Sequence, residues 1–501
     1  MDLAVQPALS NDGLSAEEVK ATALAWLRDQ VPSYPFDGLE ELAGVDVPPE
    51  IVPPGRGEVL DELFPPGNLL RIGVERRFTG DRLQGYRLCA SGLVGVAAVG
   101  DPASGMPVAT VVVKPKVPGA SLLTMLSYAF VPELSSAQRA QVDVRDASVA
   151  SLLILMYLHR LKQMVEEHGL RRAYMGLEEE LRGTVRGRPV LATYLGRNIP
   201  VGQAHIVPCR FWELRIDSEP NRALRWGIEV CRMLADWLVS PGLGEHVERI
   251  WDSLACHFAG IPVVRYRSSQ VRRLPRSGRF APYGSVFELL EFLLDSLSLE
   301  LARGQVRVRG FAVEMWKVFE RFVINILKGQ MRGQVQGPQV PFYYTVRSQE
   351  DTLHTQSIYL DALIDGQRRL VLDAKWKAGI TTGTAPNDQD EDVAYIEGLN
   401  IRNADLFQVV AYGRHYRVRA DGGILVYPVL EASAVCKRRY IPDFMGAVGG
   451  NRPFPVYLVG MPVGDTLEQS LNDFVALVRA ISLGLTELET TSSGSVKARH
   501  S

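Results

Sequence analysis

The sequence predicts a mixed α/β, multidomain chain, in which a small β-rich and helical N-terminal region precedes an α/β domain. Three observations predict it. The 501 residues exceed what one ordinary core organises, at roughly 100–200 residues per domain. Between Leu69 and Val117, short β-like runs are broken by Gly and Pro. From Ser285 onward, helical periodicity alternates with strand-like runs.

Composition narrows the function classes. Hydrophobic residues make up 46% and charged residues 22%, as in soluble globular proteins. Lys plus Arg (55) nearly balance Asp plus Glu (57), so no global basic field announces nucleic-acid binding, and any DNA contact must be local. Five scattered cysteines without a CxxC pair indicate a reduced, cytoplasmic chain. His205 with Cys209, and Cys256 beside His257, each lack the second half of a zinc site. No signal peptide is apparent, and the most apolar window, Leu152 to Leu158, is far below the ~20 residues that span a bilayer, so no membrane partner is expected.

Ser15-Ala-Glu-Glu18 is a capping box that opens the first helix, with Leu14 and Val19 placed as a hydrophobic staple. Residues 32 to 67 carry eight prolines without periodicity and read as an extended linker or arm. Leu93 to Val99 and Thr110 to Val117 read as strands, Ser121 to Phe130 as a short helix and Ala147 to His168 as a long one. Six arginines between Arg265 and Arg279 suit either a DNA-tracking loop, through bidentate phosphate contacts, or a solvated interdomain segment, and a domain boundary is placed here.

Ser285-Val-Phe-Glu288 opens another capped helix, and Phe311 to Leu327 forms the next. Strands are expected at Phe342 to Val346, Ser357 to Ile364 and Arg369 to Trp376, the last two joined at Asp365-Gly366, a hairpin signal. Small, polar and acidic residues from 378 to 392 predict a mobile loop. A helix N-capped by Asn403 runs to about Tyr416, followed by strands at Gly423 to Tyr427 and Pro455 to Val459 and a helix from Leu467 to Leu483; the tail beyond is expected to be disordered.

The chemistry concentrates on that hairpin. Residues two apart on a strand share a face, so Asp373 and Lys375 point the same way, and pairing about Asp365-Gly366 brings Asp361 to meet Asp373. Two carboxylates so close repel unless a divalent cation lies between them, and hard oxygen ligands suit magnesium. Lys375 would stand where it stabilises phosphate charge or positions the attacking water, which completes a phosphodiesterase site. Glu320, on the helix before the hairpin, reaches either the metal or a surface partner, Arg321 or Lys317. Gln408 and Tyr412 lie four apart on one helical face, where they contact DNA and the lysine or simply pack.

The ordered set Phe319-Glu320, Asp361, Asp373-Ala-Lys375 and Gln408-xxx-Tyr412 resembles the PD-(D/E)xK nucleases that carry a QxxxY helix, and among them most resembles McrC, the nuclease subunit of McrBC-type (type IV) modification-dependent restriction systems. Val112-Val-Lys-Pro-Lys-Val117 with Leu122 to Tyr128, Leu181 to Arg188, and Cys209-Arg-Phe-Trp-Glu213 resemble further segments of that family, so the similarity covers about residues 68 to 480. Leu360 stands where the family usually has the proline before the first aspartate.

The resemblance implies a restriction-endonuclease-like domain at 281–483, preceded by a region at 68–280 that docks on and activates an AAA+ partner. Residues 1–67 form an N-terminal helix and arm, and 484–501 a tail. It implies magnesium, or manganese, held by Asp361, Asp373 and Glu320. It also implies DNA as substrate and a McrB-like GTPase as partner, in defence against DNA carrying 5-methylcytosine. The chain has no GxxxxGK[ST] loop, so GTP belongs to the partner. A stand-alone RecB-like repair nuclease and a non-catalytic adaptor for an AAA+ enzyme are the alternatives.

Overall fold

The computed structural model describes residues 15–29, 39–40, 44–66, 68–100, 107–130, 149–238, 241–302, 305–337, 341–347, 353–376, 393–396, 399–415, 418–429, 438–441, 454–464, 467–485, 487–490 and 496–499. The loop expected at 378–392 lies outside them, as does Leu14 of the expected staple. The architecture is mixed α/β with several separate sheets, as the sequence predicts. It divides into two compact units, Met1–Val149 with Arg309–Ser501, and Ala150–Val308, so that the second is an insertion in the first.

In chain order, the first unit begins with helix α1 (Ala16–Asp29). The expected capping box forms: the Ser15 amide donates to Glu18 Oε2 at 2.8 Å, and the Glu18 amide donates to Ser15 Oγ at 3.4 Å. Within the segment read as an extended arm, residues 44–66 are folded. Strand β1 (Gly44–Val47) and helix α2 (Glu58–Leu63) close over β2 (Gly73–Thr79) and β3 (Arg82–Cys89), with β1 and β2 both antiparallel to β3. Val47, Val52, Val59, Leu60, Leu63 and Phe64 are buried there with Leu70, Tyr86 and Leu88. Prolines break the periodicity of this segment without removing its apolar side chains, which is why the pattern hid a core element. Strand β4 (Leu93–Gly100) then pairs antiparallel with β5 (Pro107–Lys114), and helix α3 (Gly119–Phe130) follows.

The second unit opens with α4 (Val149–His168), whose Leu152, Leu153, Ile154, Tyr157, Leu158 and Leu161 are all buried. Burial on nearly every side explains its all-round apolar pattern. Strands β6 (Ala173–Arg182), β7 (Arg188–Pro189) and β8 (Ile206–Arg215) form an antiparallel sheet with β8 in the middle, and helices α5 (Glu219–Trp237), α6 (Pro241–Leu254) and α7 (Gly284–Asp295) follow. Helix α7 starts after Tyr283 without a side-chain cap, so the Ser285 cap is not formed.

The arginine run is partly structural. Arg272 reaches Glu291 at 3.2 Å, Arg276 also pairs with Glu291, and Arg279 Nη1 donates to the Arg172 carbonyl at 2.9 Å.

Back in the first unit, residues 311–314 belong to strand β9 (Gln305–Glu314), not to the helix, which is α8 (Met315–Gln330). Phe311 and Val313 are drawn into the ladder with β4, where Gly310 faces Ala97 and Glu314 faces Leu93. A Cβ on Gly95 would stand 1.9 Å from the Phe311 carbonyl oxygen, so only glycine admits this close approach. Helix α8 packs on α3: Asn325 Nδ2 donates to the carbonyls of Tyr128 and Ala129 at 3.1 and 3.0 Å, and Tyr128 meets Phe322 edge-on.

A six-stranded mixed sheet completes the unit. It runs β10 (Val335–Gln336), β11 (Ala362–Asp365), β12 (Arg369–Ala374), β13 (Gly422–Val429), β15 (Val456–Pro462), β14 (Arg438–Ile441), with β12, β13 and β15 parallel. Helix α9 (Asn403–Arg414) covers one face, where Leu406, Val409 and Val410 meet Leu363, Val371, Leu425 and Leu458. Helix α8 and α10 (Leu467–Ser482) pack together and against the sheet. The tail expected to be disordered contains an antiparallel strand pair, Glu487–Thr490 with Val496–Arg499.

Candidate active site

Strands β11 and β12 pair across the expected turn, Ala362 opposite Leu372 and Asp365 opposite Arg369, but the strand expected from Ser357 is split: Leu353–Tyr359 pairs with Pro341–Arg347 in a separate sheet. The turn between them holds three residues, Gly366, Gln367 and Arg368, and is tied down where the Arg368 amide donates to the Ser482 carbonyl at 2.9 Å. Alternation along β12 sends Val371, Asp373 and Lys375 toward α9, and sends Trp376 the other way, where its ring meets Phe319 of α8 at a tilt with centroids 5.3 Å apart.

Asp361 sits just before β11 and reaches across the hairpin: its Oδ2 accepts the Ala374 amide at 2.7 Å. The carboxyl groups of Asp361 and Asp373 are near enough for the charge of Asp373 to be felt at Asp361. Lys375 Nζ lies 2.8 Å from Asp373 Oδ2 and donates to Gln408 Oε1 at 3.0 Å; Gln408 Nε2 in turn donates to the Tyr412 hydroxyl at 2.7 Å. The relay fixes the amide of Gln408, because its oxygen must face the ammonium and its nitrogen the phenol.

The electrostatics follow from burial. Asp373 is only 3% exposed, and loss of solvent pushes its carboxyl up despite the adjacent Lys375. Asp361 is pushed up to about 8, first by burial and then by the charges of Asp373 and Glu320. Burial alone would lower Lys375, but its ion pair with Asp373 and its other acidic neighbours raise it, so the ammonium stays charged.

Asp361, Asp373, Lys375, Gln408 and Tyr412 are therefore brought together. Glu320 stands apart from this contact network. It is half-buried on α8 and its charge is felt at Asp361, yet among the described residues no three His, Cys, Asp or Glu side chains are arranged to hold one ion. Of its expected surface partners, Lys317 pairs with Glu314 and Arg321 lies over the Phe130 ring. Burial pushes the Glu320 carboxyl up.

Sequence reasoning missed Asp405 and Tyr427, which lie buried beside the cluster with the phenol hydroxyl 3.4 Å from Asp405 Oδ2. The available signal was Asp405 standing three residues before Gln408 on one helix.

The family model for the McrBC 5-methylcytosine restriction system component matches residues 89–428, which include every residue of this cluster. The chain belongs to that family. Among solved structures, it is similar to a half-complex from the tetradecameric assembly of Thermococcus gammatolerans McrB AAA+ hexamers with bound McrC, at 16% identity and a TM-score of 0.48, over 89% of this chain and 99% of that one. It is also similar to the Thermococcus gammatolerans McrBC complex, at 19% identity and a TM-score of 0.37, over 59% of this chain and 87% of that one. No curated protein matches. Among the described residues of this McrBC-family chain, no helix is long and apolar enough to cross a membrane.

Proposed function

We propose that this McrBC-family chain is the DNA endonuclease subunit of a 5-methylcytosine restriction system, with a PD-(D/E)xK active site that uses magnesium or manganese. The observation that carries the reading is the convergence of Asp361, Asp373 and Lys375 from one β-hairpin. The donor set fits a hard divalent cation: two buried carboxyl groups that feel each other's charge would offer the oxygen ligands such an ion takes. Asp373 Oδ2 is buried and, apart from its ion-pair contact with Lys375, makes no aligned hydrogen bond, so a lone-pair site is left over. Asp361 and Asp373 would hold the ion, with Glu320 in its outer shell. Such an ion, when bound, supplies polarisation of a phosphate oxygen and a water of lowered pKa.

The chain's own residues do the rest. Lys375 stays cationic and places its ammonium beside the carboxyl pair, where it neutralises charge on a phosphate or orients the attacking water for in-line displacement. Gln408 holds that ammonium in position. Tyr412, whose hydroxyl accepts from the Gln408 amide, would contact a phosphate oxygen or close the site.

The docking role expected of residues 68–280 is supported by the sheet of the second unit. Tyr174 and Trp212 on its strands are 65% and 71% exposed, with Leu191, Leu195 and Val201 exposed in the segment between β7 and β8. Exposed apolar area on this scale marks an interaction surface. We assign it to the AAA+ GTPase that would supply the nucleotide hydrolysis this sequence lacks.

The test is cleavage of methylated DNA by the full chain assembled with that partner, with GTP and magnesium. The parental complex should cut and the Asp373→Ala complex should not. Cutting by Asp373→Ala at the parental rate would overturn the assignment, and cutting by the chain alone without GTP would favour a stand-alone nuclease.

A further inference from the structure

One buried acid is left unused by this mechanism. Asp405 is 6% exposed in the first turn of α9, and the Tyr427 hydroxyl faces its Oδ2 at 3.4 Å. An acid in a first turn ordinarily serves the helix dipole from an exposed position, which needs neither burial nor a phenol partner. Burying an ionised carboxylate costs several kcal/mol unless charge and hydrogen bonds compensate, so its place beside a cationic site calls for a reason.

Three placements supply one. Asp405, Gln408 and Tyr412 are spaced three and four apart, so they form a single stripe along α9, and Gln408 of that stripe already binds Lys375. On the sheet, the Lys375 amide donates to the Val426 carbonyl at 2.8 Å, which sets Tyr427 alongside Lys375 on the neighbouring strand. Tyr427 belongs to the apolar cluster on the α9 face, the same face that Asp373 and Lys375 take. Lys375 is thus bounded by Asp373 on its own strand, by Gln408 on the helix, and by the Tyr427–Asp405 pair between strand and helix. The charge of Asp405 is felt at both Asp373 and Lys375.

We propose that Asp405 is a positioning residue for Lys375: backed by Tyr427, it holds the ammonium between two acids so that the proton not taken by Asp373 or Gln408 points toward the substrate phosphate. This rests on the nuclease reading above. The side chain itself touches no substrate, so its loss should lower kcat and leave DNA affinity alone. Outer-shell partners of this kind are worth about 10–100-fold in activity.

The experiment compares Asp405→Asn, which keeps the shape and removes the charge, with Tyr427→Phe and Asp373→Ala, each in the full chain assembled with its AAA+ partner. kcat and KM for DNA are measured alongside thermal melting. The expected result for Asp405→Asn is a fall in kcat of about 10–100-fold with KM and melting unchanged, and for Tyr427→Phe a smaller fall in the same direction. An unchanged kcat, a change confined to KM, or a loss accounted for by the unfolded fraction overturns the positioning role. Should Asp373→Ala also cut at the parental rate, the nuclease reading fails and takes this proposal with it. An inactive Asp373→Ala beside a fully active Asp405→Asn removes only the role of Asp405.

Discussion

Strand β13 is buried at every residue from Gly422 to Val429, whereas the antiparallel pair β6 and β8 leaves Tyr174 65% and Trp212 71% exposed. The first belongs to a sheet whose central strands are parallel and covered by helices, so its apolar run is continuous and the few charges within it stand out as chemistry. On the second, large apolar side chains alternate with self-paired charges such as Glu178 with Arg210 and Glu213 with Arg186, an arrangement that suits a partner's surface. The same residue types are core in one sheet and face solvent in the other, and exposure alone separates them.

The largest expected effect tests the charges inside the buried sheet. Asp373→Asn should lower DNA cleavage by at least about 10²–10³-fold, as for loss of one preorganised electrostatic contact. It should also leave melting unchanged or raised, since an amide replaces a desolvated carboxylate; a melting drop that accounts for the lost activity would break the distinction between chemistry and core.

Next comes packing. Leu425→Ala, at a site 0% exposed beside Asp373, should destabilise by about 2–5 kcal/mol in urea unfolding, whereas Trp212→Ala should stay within about 0.5 kcal/mol. Comparable losses at the two sites would erase the contrast.

Trp212 should instead matter to association. If the exposed sheet docks on the AAA+ protein, Trp212→Asp should weaken that complex by about 2 kcal/mol, roughly 30-fold, measured by titration calorimetry. An unchanged affinity would move the interface elsewhere.

The mildest effect is a slope with pH. The folded Asp361 carboxyl is raised to about 8, above its unfolded value, so its stabilising contribution is complete at acid pH and is lost as pH rises through about 8. Without divalent ions, the melting temperature should fall between pH 5 and 9. Magnesium should flatten that fall, and Asp361→Asn should lack it; a flat profile in the parental chain would show that burial does not raise the Asp361 carboxyl.

The parts that were legible are those in which one local rule acts without competition. The Ser15 and Glu18 cap, the Asp365-Gly366 turn and the period-two placement of Asp373 and Lys375 each follow from neighbours in the chain. Residues 44–64 were not legible, because their apolar side chains reach a core through an irregular, proline-broken path that has no period. Phe311 and Val313 carry the apolar spacing of the helix that follows, yet pairing with Leu93 to Ala97 draws them into a strand, and no local signal announces a distant partner. Tyr283 displaced Ser285 as the residue preceding α7, and its hydroxyl is spent on Asn221 and the Arg171 amide. Asp405 and Tyr427 escaped for a related reason: neither helix spacing nor strand alternation alone says that the two meet.

The pairing of β9 with β4 joins segments lying on opposite sides of the inserted unit. A gene divided near residue 280, where the arginine run suggests a boundary, would therefore deliver no closed module. The N-terminal fragment would keep Leu93–Gly100 as an open edge, ready to recruit strands from other molecules, and the C-terminal fragment would begin with an orphaned apolar ribbon through Phe311 and Val313. During synthesis the early strands must wait, sheltered only by their neighbours, until Gly310 has left the ribosome, so maturation of this protein is expected to be slow and to lean on chaperones.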